Sequence, residues 1–505
     1  MSMPTNKAPG KDKVSMCIIK DCLPVILGPL TDIINASLTS SAFPQSWKEV
    51  EVIPLIKEGD HELPSNNHPL SLLIVVSKIC EKVVSCQFTT FLFHNECLTS
   101  HQSGNRRYHS SETLNVLVDD IILEAMDQKS VTALILLDLS KAFDSVHHPT
   151  LLNKLRHIGA FPEVLKWFES YLTGRSQFVR IGTSVSSSLN ITHGVPQGAI
   201  LSPLLFSIYV NELPLAPRHS SLNSYVDDSK MFLSFRVNDA TDTKEYLQED
   251  LSRVAKCCSE LHLLINPKKT KYLLIGTRQQ LQNLPTDMCL NFLGETIRPV
   301  PSAKDLGLIR DTNMSYDCHI TELVSSCMSK LSQINRVSKY FDKETISLLV
   351  SALVMNKLLY CSSAWSNTSA KNINKLQLVQ NFACRIVTNS KKFDHISQKL
   401  QELNWLTVKE HILFRDTVLM YKCINNLAPP YLCNKFSKRS NIHECNTRKR
   451  ELLQIPIYNT TTGQRTFHYR GVKLWNDLDN NTKQMPSLRS FKNKLKKDML
   501  DRLYS

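Results

Sequence analysis

The chain has 505 residues, 42% of them hydrophobic, which is enough for a folded protein and more than a single core holds, so two or three domains are expected. Its formal net charge of +14 favours a polyanionic partner, and the excess is uneven: residues 431–505 hold 16 Lys and Arg against 6 Asp and Glu. Fifteen cysteines are scattered along the chain with no secretory signal before them, which argues against a disulfide scaffold and for reduced thiols.

The first thirteen residues are polar and basic with no apolar h-region. Leu23 to Ile34 is the most apolar early stretch, but Pro24 and Pro29 interrupt it and it is too short to cross a bilayer. An intracellular protein is expected, cytoplasmic or nuclear and without a membrane partner. A turn at Gly10 and helical patterns ending near Trp47 fill the first fifty residues. A strand follows at Val50 to Ile56, then a polar loop from Gly59 to Pro69 and a helix from Leu72 to Phe93.

Val131 to Leu137 is a continuous apolar run with the length and β-branched content of a strand buried on both faces. Asp138 ends it, at the rim of the sheet, and the chain turns through Pro149 into a helix marked by Leu151, Leu152 and Leu155. Pro196-Gln197-Gly198 forms a turn that opens onto a helix from Leu204 to Val210. Tyr225-Val226-Asp227-Asp228 sits between Leu222–Tyr225 and Met231–Phe235, which predicts a tight hairpin with two adjacent acids at its tip. Neighbouring carboxylates are costly to hold together unless a cation lies between them, and a divalent metal is the usual answer. If the strand before Asp138 lies beside this hairpin, Asp138, Asp227 and Asp228 converge and can hold two Mg²⁺ ions about 3.5–4 Å apart.

Beyond residue 308 helical periodicity dominates, as in the stripe Leu376, Val379, Phe382, Ala383 and Ile386, where Cys384 packs as a small hydrophobe. Cys433, His443 and Cys445 have a spacing that fits no common zinc pattern. Arg448-Lys449-Arg450 has the composition of a short nuclear-import signal.

Taken together and in order, Leu137-Asp138-Leu139-Ser140-Lys141-Ala142-Phe143-Asp144, His193-Gly194-Val195-Pro196-Gln197-Gly198, Tyr225-Val226-Asp227-Asp228 and Asn266-Pro267-Lys268-Lys269-Thr270 resemble four successive palm motifs of reverse transcriptases. The resemblance extends upstream through Ile53-Pro54-Leu55-Ile56-Lys57 and downstream through Lys304-Asp305-Leu306-Gly307. Leu376 to Asn381, Leu403-Asn404-Trp405-Leu406 and Leu474-Trp475-Asn476 are similar to the C-terminal part of jockey-type non-LTR retrotransposon polyproteins.

That resemblance implies an α+β right-hand polymerase: an N-terminal fingers extension over residues 1–50, fingers and an antiparallel palm over 51–308, a helical thumb over 309–395 and a basic, mostly helical C-terminal region over 396–505. It implies RNA-directed DNA synthesis, with an RNA template, a DNA primer or target and deoxynucleoside triphosphates as partners. Asp138, Asp227 and Asp228 would hold two Mg²⁺ ions, or Mn²⁺ in their place. Lys269 would protonate the leaving pyrophosphate, and Lys57 would face the triphosphate. The Phe143 ring would exclude a 2′-hydroxyl, Gln197 and Gly198 would meet the nascent base pair, and Leu306-Gly307 would seat the primer end.

Two positions depart from the family pattern. Asn67-His68-Pro69-Leu70-Ser71 stands where Tyr-Arg-Pro-Ile-Ser is usual, and an imidazole cannot make the bidentate fork of a guanidinium. Gln102-Ser103-Gly104-Asn105-Arg106 carries Asn where Phe is usual. The chain also starts at the polymerase edge, without the endonuclease domain that jockey-type elements place upstream. These features set up a second expectation, a truncated element copy that keeps nucleic-acid binding and no longer polymerises.

Overall fold

The computed structural model describes residues 3–56, 59–60, 62–441 and 450–504. Lys57, His443, Cys445, Arg448 and Lys449 lie outside the described residues. The chain divides into two compact units that interleave in sequence. The first comprises Met1–Asn105, Leu137–Ser229 and Glu249–Lys269; the second comprises Arg106–Leu136, Lys230–Gln248 and Thr270–Ser505.

In the first unit the strand Glu49–Ile56 runs parallel to Arg175–Ile181, with Glu49 opposite Ser176, and antiparallel to Asn67–Leu72. The short strands Ser184–Val185 and Leu189–Ile191 both pair with Arg175–Ile181. The polar loop expected up to Pro69 therefore ends earlier, because Asn67–Leu72 is a strand. Its proline is tolerated because the strand is at the edge of the sheet, where Pro69 faces Pro54 and no inner ladder loses a donor.

Helix Val75–His94 carries the buried Glu81, whose carboxylate accepts from the backbone of Ile200 (2.7 Å) and Leu201 (3.1 Å), at the start of helix Ser202–Tyr209. The helix expected at Leu204 to Val210 is thus present and receives its N-terminal acceptor from 119 residues away. Phe43 packs edge-on against Trp47, Trp167 and Tyr171, with ring centroids 5.5, 5.7 and 5.0 Å away, and closes the N-terminal helices onto Pro162–Leu172.

The second unit is organised around helix Ser111–Asp127, started by a reciprocal cap between Ser110 and Thr113. Three of its acids are buried, and each fixes a distant segment. Asp119 pairs with Arg310, Asp120 accepts from the backbone of Phe467 (2.6 Å) and His468 (3.2 Å), and Asp127 accepts from Thr460 (backbone, 2.7 Å). In this unit Val131–Leu137 pairs antiparallel with Lys271–Ile275, Lys271 opposite Leu136 and Ile275 opposite Thr132, and has Asp228–Phe235 on its other side.

Val131–Leu137 is buried throughout except for a half-buried Leu136, as its apolar run predicts. From Asp317 onward the chain is helical, with Asp317–Val337, Ala370–Thr388, Val408–Ile424, Phe467–Asp477 and Leu488–Tyr504 as the long elements. Among the described residues every cysteine is a free thiol, Cys384 is buried, and no helix is long and apolar enough to cross a membrane.

Candidate active site

Asp138 leaves the strand Val131–Leu137 half-buried, and its backbone carbonyl accepts from the Asn266 backbone at 2.9 Å. Leu139–Ser140 then pairs antiparallel with Leu264–Ile265, so the segments around Asp138 and Lys269 are laced together. The Asn266 side chain accepts from the backbone of Lys268 (3.1 Å) and Lys269 (3.3 Å), the local turn that an Asn-Pro pair encodes, and leaves Lys269 exposed.

A second loop closes on the same segment. Gly194 donates its backbone N–H to Val146 (2.8 Å) and Val195 donates to Phe143 (2.9 Å), while Gln197 Nε2 donates to Asp144 Oδ1 at 2.8 Å. Gly194 has φ +84°, and a Cβ there would lie 2.9 Å from the Asp144 carbonyl, so glycine is required for both conformation and closeness. His148 Nε2 sits 2.7 Å from the Gly194 carbonyl; burial lowers its pKa, and the neutral ring can donate to that oxygen. Phe143 is half-buried and stacks on Phe206, centroids 4.7 Å apart at 24°.

The backbone carbonyl of Gln197 accepts from Ser71 at 3.0 Å, and a Cβ on Gly198 (φ +113°) would meet the Ser71 carbonyl at 2.9 Å. The edge strand Asn67–Leu72 is thereby docked onto Gln197-Gly198. His68 is exposed on that strand, opposite Leu55.

The expected hairpin is present: Ser221–Tyr225 turns through Val226 and Asp227 into Asp228–Phe235, with Ser224 Oγ and Ser229 Oγ 2.8 Å apart across it. Asp227 is half-buried and Asp228 exposed. Val226 has φ 61°, a genuine outlier for a β-branched residue.

What holds this turn is a feature the sequence reading missed. The buried Gln102 amide accepts from the backbone of Val226 (3.1 Å) and Gly104 (2.9 Å) and donates to the Val226 carbonyl (3.2 Å). Ser103 donates to Ser224 at 2.8 Å, and Gly104 lies so close that a Cβ would be 2.5 Å from the Val226 nitrogen. The only signal was the Gln-Ser-Gly stretch itself. Asn105 adopts φ 57° and reaches the Pro203 carbonyl at 3.4 Å, an interaction that no phenyl ring would make.

Leu306 (φ 45°) and Gly307 (φ 81°) form the two-residue tip of the hairpin Ser302–Asp305 and Leu308–Asp311, in the second unit. Directly behind the tip Lys230 Nζ meets Asp305 Oδ2 at 2.6 Å, and Arg310, opposite Ala303, joins Asp305 and, at 2.8 Å, Asp119. All four groups are buried. Burial alone would raise the Asp305 carboxyl, but Lys230 and Arg310 outweigh it and hold the group below the usual carboxylate range.

The three acids Asp138, Asp227 and Asp228 offer only carboxylate oxygens, the donors a hard divalent cation takes. Among the described residues, no group of three His, Cys, Asp or Glu is spaced to hold a metal ion.

Residues 56–297 match the family described as reverse transcriptase (RNA-dependent DNA polymerase). More particularly, the chain is 30% identical over 428 residues to the probable RNA-directed DNA polymerase from transposon BS of Drosophila melanogaster, covering 81% of this chain and 46% of that protein. It is 25% identical over 392 residues to the RNA-directed DNA polymerase from mobile element jockey of the same species, covering 75% and 42%. The jockey-type resemblance carried by the motifs is thus borne out, and the chain spans about half the length of the curated relatives it matches. A structure of telomerase from Candida tropicalis with a fragment of telomeric RNA aligns at a TM-score of 0.38 and 11% identity, over 77% of this chain and 65% of that one.

Proposed function

We propose that this chain is an RNA-directed DNA polymerase of a jockey-like non-LTR retrotransposon, extending a primer 3′-hydroxyl on an RNA template. The observation that carries the reading is the lacing of two motif loops onto the segment of a third: Asn266 on Asp138, and Gly194, Val195 and Gln197 on Val146, Phe143 and Asp144. In this reading residues 51–308 are fingers and palm, 309–395 the thumb and 396–505 a basic C-terminal region.

Asp138, Asp227 and Asp228 are the residues that would hold two Mg²⁺ ions. In support, Thr132 Oγ1 and Ser234 Oγ lie 2.9 Å apart on adjacent strands; Asp138 is six residues after the one and Asp228 six before the other. Bound there, the ions would supply Lewis acidity to the primer hydroxyl and charge neutralisation to the triphosphate. Phe143, half-exposed and backed by Phe206, has one ring face to offer against a sugar 2′-carbon. Gln197, anchored through Asp144, presents its turn to the base pair. Lys269, exposed on the Asn266 turn, is free to swing toward a leaving pyrophosphate and donate a proton.

Primer extension by the purified full chain on an RNA template tests the reading, with Mg²⁺ and Mn²⁺ compared. Asp227→Asn should lower extension by a factor on the order of 10³ while nucleic-acid affinity stays close to the parent value, since it removes a metal ligand and no phosphate contact. A parent chain that binds RNA but never extends a primer would favour the second reading, a non-polymerising element copy.

A further inference from the structure

The C-terminal helix Leu488–Tyr504 turns Phe491, Leu495 and Met499 into the core of the second unit. Phe491 stacks on Tyr421 of helix Val408–Ile424 with ring centroids 4.2 Å apart, so the two helices lie side by side. Lys422 and Lys492 each follow one of those stacked rings in sequence. From Lys492 the outer face continues at helical spacing to Arg489 and Lys496, all three exposed. On the neighbouring helix His411, Arg415 and Lys422 recur at spacings that also keep one face.

The cations feel one another. Burial lowers the Lys422 ammonium, with Lys492 and Arg415 adding to the effect against Glu112; burial, Arg415 and Lys496 bring the His411 imidazole down to about 4. The carboxylate facing this ridge comes from helix Ser111–Asp127, where Glu112 takes Arg415 through both oxygens at 3.1 Å. Among the described residues no carboxylate is within ion-pair distance of Lys422, Arg489, Lys492 or Lys496, whereas Lys494 on a different face is tied to Asp498 at 2.8 Å.

We propose that Arg415, Lys422, Arg489, Lys492 and Lys496 form a ridge that binds the phosphodiester backbone of a nucleic acid strand. Arg489 to Lys496 spans about 10 Å at the helical rise, comparable with about three successive phosphates of one strand, so an extended polyanion fits where a single small anion would not. An anionic membrane surface fits less well, because the helix has its large apolar residues committed to the core and has little to insert between lipids. The inference deepens the polymerase reading, on which it rests only for the strand being template or primer.

The test is fluorescence anisotropy of the full chain with labelled single-stranded RNA, single-stranded DNA of the same sequence and an RNA–DNA duplex, across a salt series. Lys492→Gln/Lys496→Gln should weaken binding about tenfold near physiological salt and flatten the slope of log affinity against log salt by about 1.4 to 1.8, two contacts' worth. The charge-matched control Lys371→Gln/Lys497→Gln should change neither, and both variants should keep the parent melting temperature. Whichever of the three probes loses most identifies the strand.

If ridge and control variants behave alike, the ridge is a solvated face and the inference fails, even when the chain extends primers normally. If only binding to anionic lipid vesicles falls, it fails in favour of a membrane surface. If the slope flattens as expected while the parent chain extends no primer, the inference stands and the polymerase reading falls.

Discussion

Two hairpin tips in this protein are built alike and held by opposite means. Val226 (φ 61°) at one and Leu306 (φ 45°) at the other are branched residues in left-handed backbone, a conformation that costs on the order of 1 kcal/mol or more and persists only where the surroundings impose it. The Val226 turn is imposed by neutral groups: the Gln102 amide, the Ser103 backbone and the bare face of Gly104. The Leu306 turn stands on buried charges, with Lys230 and Arg310 against Asp305 and Asp119. The difference has a physical reason. The hydrogen bonds that fix the Val226 backbone come from an amide and from peptide groups, which set its shape at ordinary hydrogen-bond strength, whereas the turn at Leu306-Gly307 rests on ionised groups taken out of water.

If that contrast is right, the charged support should be the more fragile. Asp305→Asn leaves Lys230 and Arg310 facing a neutral amide in a buried site, and should destabilise the protein by about 3–5 kcal/mol, read from urea unfolding. A loss below about 1 kcal/mol would mean that Asp119 alone satisfies Arg310 and that the network is redundant.

The charged side should also be the acid-sensitive one. His319 packs near Tyr316 and Trp365, and burial, then Arg310, brings its imidazole down to about 4 from 6.5. Its folded pKa is below the unfolded one, so the unfolded chain binds more protons between these values. Stability from this group is complete above about pH 6.5 and is lost as pH falls through 4, by about 3 kcal/mol in all. His319→Gln should flatten the stability profile over that window, and an unchanged profile would put the acid response elsewhere.

The neutral clamp should cost less and should not respond to pH. Gln102→Leu strands the backbone N–H groups of Val226 and Gly104, a loss of about 1–3 kcal/mol that should be the same at pH 6 and pH 8. A loss that grows with acid would show that Asp227 or Asp228 is coupled to the clamp after all.

Much of this architecture was legible in the sequence, and what was hidden has a common cause. Val131–Leu137 was readable because an apolar run broken only by Thr132 leaves no polar face to misplace, and the Asp227 hairpin because two runs flank a short gap that carries adjacent acids. The lacing of the motif loops was readable only through family resemblance, since no local pattern places Gly194 against Asp144. Lys230, Asp305, Arg310 and Asp119 read individually as surface residues; their burial follows from partners up to 191 positions apart, which a period of two or of 3.6 cannot encode. Gln102 was noticed only for its neighbour Asn105, and Asn67 to Pro69, the first half of the strand Asn67–Leu72, read as loop because Pro69 argues against a strand unless its edge position is known.

The smallest expected effect decides where the Leu306 tip is held. The Tyr360 hydroxyl donates to the Leu306 carbonyl at 3.2 Å and lies 2.8 Å from Ser111 Oγ, while its ring covers Gly307 so closely that a Cβ there would be 2.9 Å from Cε1. Tyr360→Phe keeps the ring and removes the hydroxyl, so both bonds go without opening a cavity. Tyr360 is 42% exposed, and water can take over at the vacated carbonyl. Global stability should therefore fall by only about 0.5–1.5 kcal/mol, against several for Asp305→Asn. Hydrogen exchange should place the change at the tip, with Leu306 and Gly307 amides exchanging faster and those of the helix Ser111–Asp127 unchanged. If Tyr360→Phe proves as costly as Asp305→Asn, the turn is held by the Tyr360 hydroxyl as much as by its buried charges, and the contrast between the two turns fails.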